Sequence, residues 1–286
     1  MMPVGQVGSR PWGRGVRTNR WGGRVVSAQP ETVRVEDAGG GVRVLRLTNP
    51  ARRNAIDRRS RAELAEAVAT VAGDDAARVL VVTADGPSFC AGADLVDLFG
   101  EASNQSVDQI RNDVMRVYDS FLRILDLSIP TIAAVRGAAI GAGLNLALCC
   151  DVRLAAPDAS FGAVFSRIGL HPGGGCTYFL TRLLGPQGAL RLLLDGGSLD
   201  AQAAVRGGLV GEIVDDPEAE ALAMAARWAK LDPYLALAIK RSVRLAAEAG
   251  FQATVEHEAW AQAASAQRPE VQAVVEQRRH PRPRSA

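Results

Sequence analysis

Apolar and polar residues alternate through Thr32–Val35 and again through Val42–Leu47, on either side of Asp37-Ala38-Gly39-Gly40-Gly41. That is the pattern of two antiparallel strands joined by a tight turn. From about Asp57 to Ala72 the period lengthens, with Leu64, Ala67, Val68 and Val71 sharing one face, which predicts a helix. Arg78–Ala84 (RVLVVTA) is then almost continuously apolar, as a strand is when a parallel sheet buries both its faces. The turn-rich stretch 85–100 reads as a loop, followed by a long amphipathic helix from about Val107 to Leu127 and a second apolar strand over 131–136. Gly137, Gly141 and Gly143 interrupt the chain before a short apolar stretch, Leu144–Cys149, and a further strand at Val152–Ala156. Beyond Pro172 the pattern is helical, over 175–184, 186–194, 200–206, 216–231, 233–248 and 251–266. Strands alternating with helices predict an α/β fold with a parallel sheet and right-handed crossovers, and Pro217–Arg279 reads as a helical appendage to it.

Composition narrows the choice of function. At 286 residues and 48% hydrophobic, the chain can bury a full core. Its net charge of +2 implies no bulk polyanion, so nucleic acid is not expected as a partner. No apolar run approaches the length of a membrane span. Cys90, Cys149, Cys150 and Cys176 include an adjacent pair inside an apolar stretch, which suits buried reduced thiols in a cytoplasmic protein better than disulfides or a metal cluster. Residues 1–30 are different material: Arg10, Arg14, Arg17, Arg20 and Arg24 among many glycines, with no acid. This reads as a disordered basic extension, with 31–216 as the α/β core, 217–279 as the helical region and 280–286 as a basic tail.

Candidate chemistry lies where apolar strands meet glycine-rich turns. The run IPTIAAVRGAAIGAGLNLALCCDVRL (129–154) carries three glycines between a buried strand and the start of a helix. Such a turn lets the backbone approach a ligand, and unpaired N–H groups at a helix start attract permanent or transient negative charge. DGPSFCAGADL (85–95) has the same character.

FCAGADL followed by IAAVRGAAIGAGLNLALCCD resembles the crotonase (enoyl-CoA hydratase/isomerase) superfamily. PARRNAID (50–57), GLHPGGG (169–175), RLLG (182–185) and AQAAVRGGLV (201–210) extend the resemblance, in order, over roughly residues 33–245. The resemblance implies a spiral of β-β-α units with a C-terminal helical region that makes trimers or pairs of trimers. It also implies an acyl-CoA thioester as substrate, with no cofactor and no metal. The carbonyl of that thioester would be held by the backbone N–H groups of Ala93 and Ala142. Arg52 and Arg53 are the candidates for the CoA phosphates. Ala55, Ala91, Gly92, Asp94, Leu95 and Gly141 would line the CoA and acyl path.

The departures from that pattern matter for the chemistry. By resemblance, two glutamates that move protons during hydration belong at positions 145 and 165, and here the residues are Asn145 and Phe165. An amide can orient a water but cannot carry a proton, and a phenyl ring can do neither. Ordinary hydration at full rate is therefore not expected. His171, Asp94 and Asp97 remain as candidate acid–base groups, while Ser166 and Cys176 have no evident base partner. Two readings stay open: an enzyme (isomerase, lyase or slow hydratase) working mainly through its oxyanion hole, or an acyl-CoA-binding protein that has lost the chemistry. GAAIGAG (137–143) mimics a dinucleotide turn only loosely.

Overall fold

The computed structural model of the protein describes residues 31–279, so the expected N-terminal extension (1–30) and basic tail (280–286) lie outside the described residues. From Thr32 onward the chain forms one compact unit. Its centre is a six-stranded sheet in the order β1-β2-β3-β4-β6-β9. The hairpin β1 (Val33–Gly39) and β2 (Val42–Leu47) is antiparallel; β3 (Val79–Ala84), β4 (Thr131–Val135), β6 (Val152–Ala155) and β9 (Glu212–Ile213) add on in parallel.

Both faces of that sheet are covered, which is why β3 shows no alternation in its sequence. One face carries Leu80, Val82, Ala133 and Val135 into the main core, beneath α1 (Arg58–Ala72) and α3 (Val107–Leu122). The other carries Val79, Val81, Ile132 and Ala134 into a second core against Ala221 and Ala225 of α7 (Pro217–Trp228). Helix α1 buries Leu64, Ala67, Val68 and Val71, the face its sequence marks, and starts at a capping box in which Asp57 accepts from the Ser60 N–H and Ser60 from the Asp57 N–H. Packing thus draws the helical appendage later than residue 217: α7 belongs to the core as the lid on the sheet. Helices α8 (Pro233–Glu248), α9 (Phe251–Ala266) and α10 (Pro269–Arg279) lie beyond it.

The rest of the fold consists of short elements around the glycine turns. A three-stranded sheet joins β5 (Ala138–Ile140), β7 (Ser160–Gly162) and β8 (Ser198–Asp200). Helix α4 (Ala142–Leu148) is buried at every position. The expected loop 85–100 contains a single-turn helix, α2 (Leu95–Phe99), and the expected helix over 107–127 gives way to a 3-10 turn at Arg123–Asp126. Helix α5 (Cys176–Asp195) breaks at Gly185 before Pro186, the boundary the sequence sets between 175–184 and 186–194. Helix α6 (Ala201–Arg206) leads into β9. The strands β5, β7, β8 and β9 are two or three residues long, too short for a period to show.

Candidate functional site

The two glycine loops meet edge to edge. The Cys90 N–H donates to the Ala138 carbonyl (3.0 Å) and the Ile140 N–H to the Cys90 carbonyl (2.9 Å), so the 85–95 loop is stitched along β5. A Cβ on Gly92, whose φ is +96°, would lie 2.7 Å from the Ile140 carbonyl oxygen and 3.5 Å from the Ala142 nitrogen. Only glycine fits there, and its absence of side chain is what brings the loops together. On the other side, the Ile56 N–H donates to the Gly92 carbonyl (2.8 Å) and the Asp94 N–H to the Ile56 carbonyl (2.9 Å). These bonds flank Ala93 and turn its own N–H away from Ile56. Among the described residues neither the Ala93 nor the Ala142 N–H has a backbone acceptor. Gly141 caps α4, its N–H donating to the Gly162 carbonyl (2.9 Å), so Ala142 is the first helical residue.

Asn145 stands one turn further along α4, on the same face as Ala142. It is 1% exposed. Its Nδ2 donates to the Gly173 carbonyl at 2.7 Å, while its Oδ1 is buried with no hydrogen-bond partner among the described residues. An unmet buried acceptor of this kind costs about 1–3 kcal/mol. Phe165 is half-buried, and its ring edge would lie 3.8 Å from a Cβ on Gly141. The structure therefore brings Ala93, Gly92, Gly141, Ala142, Asn145 and Phe165 into one neighbourhood.

The candidate acids and bases are placed elsewhere or already engaged. His171 is exposed and its Nδ1 engages the Pro172 carbonyl (2.7 Å); no hydrogen bond joins it to Asn145 among the described residues. Asp94 is the N-cap of α2: its Oδ1 accepts from the Val96 and Asp97 N–H groups (both 3.1 Å), and its Oδ2 pairs with the Arg52 guanidinium. Both oxygens of this candidate acid–base group are thus engaged, one in capping α2 and the other with Arg52. Asp97 faces Arg58 at 3.8 Å. Arg52, Arg58 and Arg59 with Asp57, Asp94 and Asp97 line an open cleft of about 410 Å³, beside exposed Val96. Arg53 is exposed, and its carbonyl accepts from the Ala91 N–H (2.9 Å). The Ala55 N–H donates to the Arg52 carbonyl (3.1 Å), and Leu95 is 44% exposed.

The thiols lie inside the core. All four are free and buried, and burial pushes Cys90, Cys150 and Cys176 up to about 12. Asp151 is structural, accepting from the Thr131 N–H and hydroxyl (2.9 Å each) and pairing with Lys240 (2.7 Å) and Arg244 (3.1 Å) of α8. Two residues that sequence reasoning passed over shape the site. Asn54, 4% exposed with φ +53°, accepts from the Asn49 N–H (2.8 Å) and donates to the Asp85 and Ser88 carbonyls (2.9 Å each), pinning the base of the 85–95 loop. An asparagine beside a turn that needs a left-handed residue was the available signal. Tyr118 of α3 reaches Gly173, and on its helix it reads only as a member of the apolar face.

A family model for enoyl-CoA hydratase/isomerase matches residues 37–281. The chain belongs to that family, within the crotonase superfamily. A protein of Mycobacterium tuberculosis named as a probable enoyl-CoA hydratase is 43% identical over 217 residues, covering 76% of this chain and 83% of its own. The 1,2-epoxyphenylacetyl-CoA isomerase of Escherichia coli is 40% identical over 182 residues, 62% of this chain and 67% of its own. Among solved structures, the enoyl-CoA hydratase of Bacillus anthracis superposes with a TM-score of 0.79 at 26% identity, covering 88% of this chain and 97% of that one.

Proposed function

We propose that the protein is an acyl-CoA enzyme that holds the thioester carbonyl between the N–H groups of Ala93 and Ala142. It would favour isomerase-type or slow hydratase chemistry, because no carboxylate stands at Asn145 or Phe165. What supports this reading is that, among the described residues, neither N–H has a backbone acceptor, and that the Cys90–β5 stitching and the Gly92 contact hold the two loops together. Two such donors stabilise the oxyanion that forms when a proton leaves the α-carbon or a nucleophile adds. Family members named as hydratase and as isomerase support either outcome. The Arg52–Arg58–Arg59 cleft, which Asp94 also lines, supports a place for the CoA phosphates, with Arg52 exchanging Asp94 for phosphate.

No cofactor beyond the CoA of the substrate is needed for this chemistry. Four free thiols support a reducing cytoplasmic setting. Exposed Ile239, Val243, Phe251 and Trp260 on α8 and α9 support self-association as a trimer or pair of trimers.

The test uses Ala142→Pro. Ala142 is the first residue of its helix, where proline is tolerated, so the substitution removes the N–H and largely spares the helix. A bound cinnamoyl-CoA, whose absorption shifts to the red when its carbonyl accepts hydrogen bonds, reports the polarisation. The parent should show the shift, and the folded variant should lose it together with about 10²–10³ of any turnover. Binding and red shift unchanged in the variant would remove Ala142 from the site. Binding with no turnover on any enoyl- or acyl-CoA would favour the acyl-CoA-binding reading.

A further inference from the structure

A small pit lies at the end of the sheet away from the glycine loops. β3 and β4 run parallel, and the turns at 85–95 and 137–141 follow their C-terminal ends. Arg78 stands just before β3, and Ile129 and Pro130 just before β4, so the pit they line is a strand's length from the thioester site. Trp228 at the end of α7, with Leu231 and Pro233 at the start of α8, completes its apolar walls. Its volume is about 20 Å³, little more than one water requires.

Arg78 is the charged residue of this lining, and it is held in place. Its backbone N–H donates to the Gly41 carbonyl (2.7 Å), and its Nη1 donates to the Asp75 and Ala77 carbonyls (2.7 and 2.9 Å). A Cβ on Gly41, whose φ is +83°, would lie 2.6 Å from the Arg78 Cγ, so the missing side chain makes room for the arginine stem. Among the described residues no carboxylate pairs with this guanidinium. Asp232, between Leu231 and Pro233, is engaged elsewhere: Oδ1 caps α8 and Oδ2 accepts from Arg268 (3.1 Å).

The acceptors of the lining are also committed. The carbonyls of Ile129, Pro130 and Trp228 accept from Lys240 Nζ (2.6 Å), the Leu80 N–H (3.0 Å) and the Leu231 N–H (3.0 Å). A guanidinium only donates, so the group that completes the pit is an acceptor, and a negative one matches the charge best. The apolar walls call for an apolar body on the same molecule. The volume admits a carboxylate head but no chain, which leaves the chain to lie over Trp228 and Leu231, the latter 41% exposed.

We propose that this pit binds a free carboxylic acid with an apolar chain, Arg78 taking the carboxylate and Trp228 and Leu231 the chain. The site is separate from the thioester site and does not depend on it.

The experiment compares octanoate with 1-octanol, which has a similar chain and no charge, by calorimetry on the full chain. Octanoate should bind roughly tenfold to a hundredfold more tightly, the worth of one charge-assisted contact. Arg78→Gln should bring the two ligands to about equal affinity and leave butyryl-CoA binding unchanged. Leu231→Asp, which sets a negative charge at the exposed rim, should weaken octanoate about tenfold, and it carries the test if Arg78→Gln does not fold. Octanoate should still bind when butyryl-CoA is saturating. A parent that binds no octanoate, or binds both ligands alike, overturns the proposal, as does a preference that survives Arg78→Gln or displacement of octanoate by butyryl-CoA. A parent that binds octanoate at Arg78 but no acyl-CoA upholds this site and overturns the thioester reading alone.

Discussion

Asn145 sets the terms for any attempt to restore hydration. A glutamate there would aim a carboxylate at the Gly173 carbonyl, now 2.7 Å from Nδ2, replacing a hydrogen bond by repulsion. Burial would drive that carboxyl toward its neutral form. We expect Asn145→Glu alone to lose roughly 1–3 kcal/mol of stability in denaturant titrations. Crotonyl-CoA hydration should stay far below ordinary enzyme rates in both parent and variant; hydration by the parent at about 1–10³ per second would show that these positions do not limit it. Gly174→Ala probes the same corner from the other side. Its left-handed backbone should cost about 1–2 kcal/mol, before the added Cβ displaces the Asn145 amide from 2.6 Å. A stability equal to the parent's would mean that the loop relaxes freely. The cysteines give a third residue-scale expectation. With Cys90, Cys150 and Cys176 raised to about 12 by burial, the folded protein should not react with a disulfide thiol reagent at pH 8, and all four thiols should react after unfolding.

At the scale of elements, α7 is held to the sheet by more than apolar contact. Arg46 of β2 reaches Glu218 in the first turn of α7 (2.6 Å) and Glu36 of β1 (2.9 Å), and Glu218 also accepts from Thr83 (3.1 Å). The Arg46 hydrogen bond holds Glu218 below its ordinary value of 4.5, and Glu36 is lowered by the same guanidinium. A carboxylate lowered in the folded state contributes stability that is present above its unfolded pKa and lost as pH falls through the folded one. Thermal stability should therefore decline as pH drops below about 4.5, and Glu218→Gln should flatten that decline while lowering stability at neutral pH. An unchanged pH profile in the variant would assign acid sensitivity elsewhere. Both carboxylates are about one-third exposed, so solvent screening keeps the effect small.

At the scale of the molecule, α8 is anchored and yet uncovered. Lys240, 9% exposed, pairs with Asp151 and donates to the Ile129 carbonyl (2.6 Å), fixing the helix to the core. On the same pair of helices Val243 is 65% exposed, Phe251 83% and Trp260 72%. Large apolar side chains left in water at this density support the self-association proposed above. Light scattering at micromolar concentration should report a trimer or hexamer, and Phe251→Glu with Trp260→Glu should dissociate it. A monomeric parent would refute the proposed assembly.

Most of the framework was legible from period alone. The hairpin, α1, β3, β4, β6 and the paired helices α8 and α9 are long enough for their burial to repeat in the sequence, and Gly185-Pro186 announced the break in α5. The motifs placed the chain in its family because glycines that permit close backbone approach cannot be exchanged for other residues. What sequence could not decide was set by partners distant along the chain. The strands β5, β7, β8 and β9 exist only because neighbours supply their hydrogen bonds. For Asp94, only the tertiary structure shows that it caps α2 and pairs with Arg52. His171 became a surface residue once its loop was folded. α7 looked like the start of an appendage until the sheet was seen to have a second face to cover. Tyr118 lies 55 residues before Gly173, and nothing local to either reveals that one fills the space the other leaves empty. Sequence determined which segments bury apolar surface and where the backbone must come close; tertiary contact decided which polar groups are satisfied and which remain free to meet a ligand.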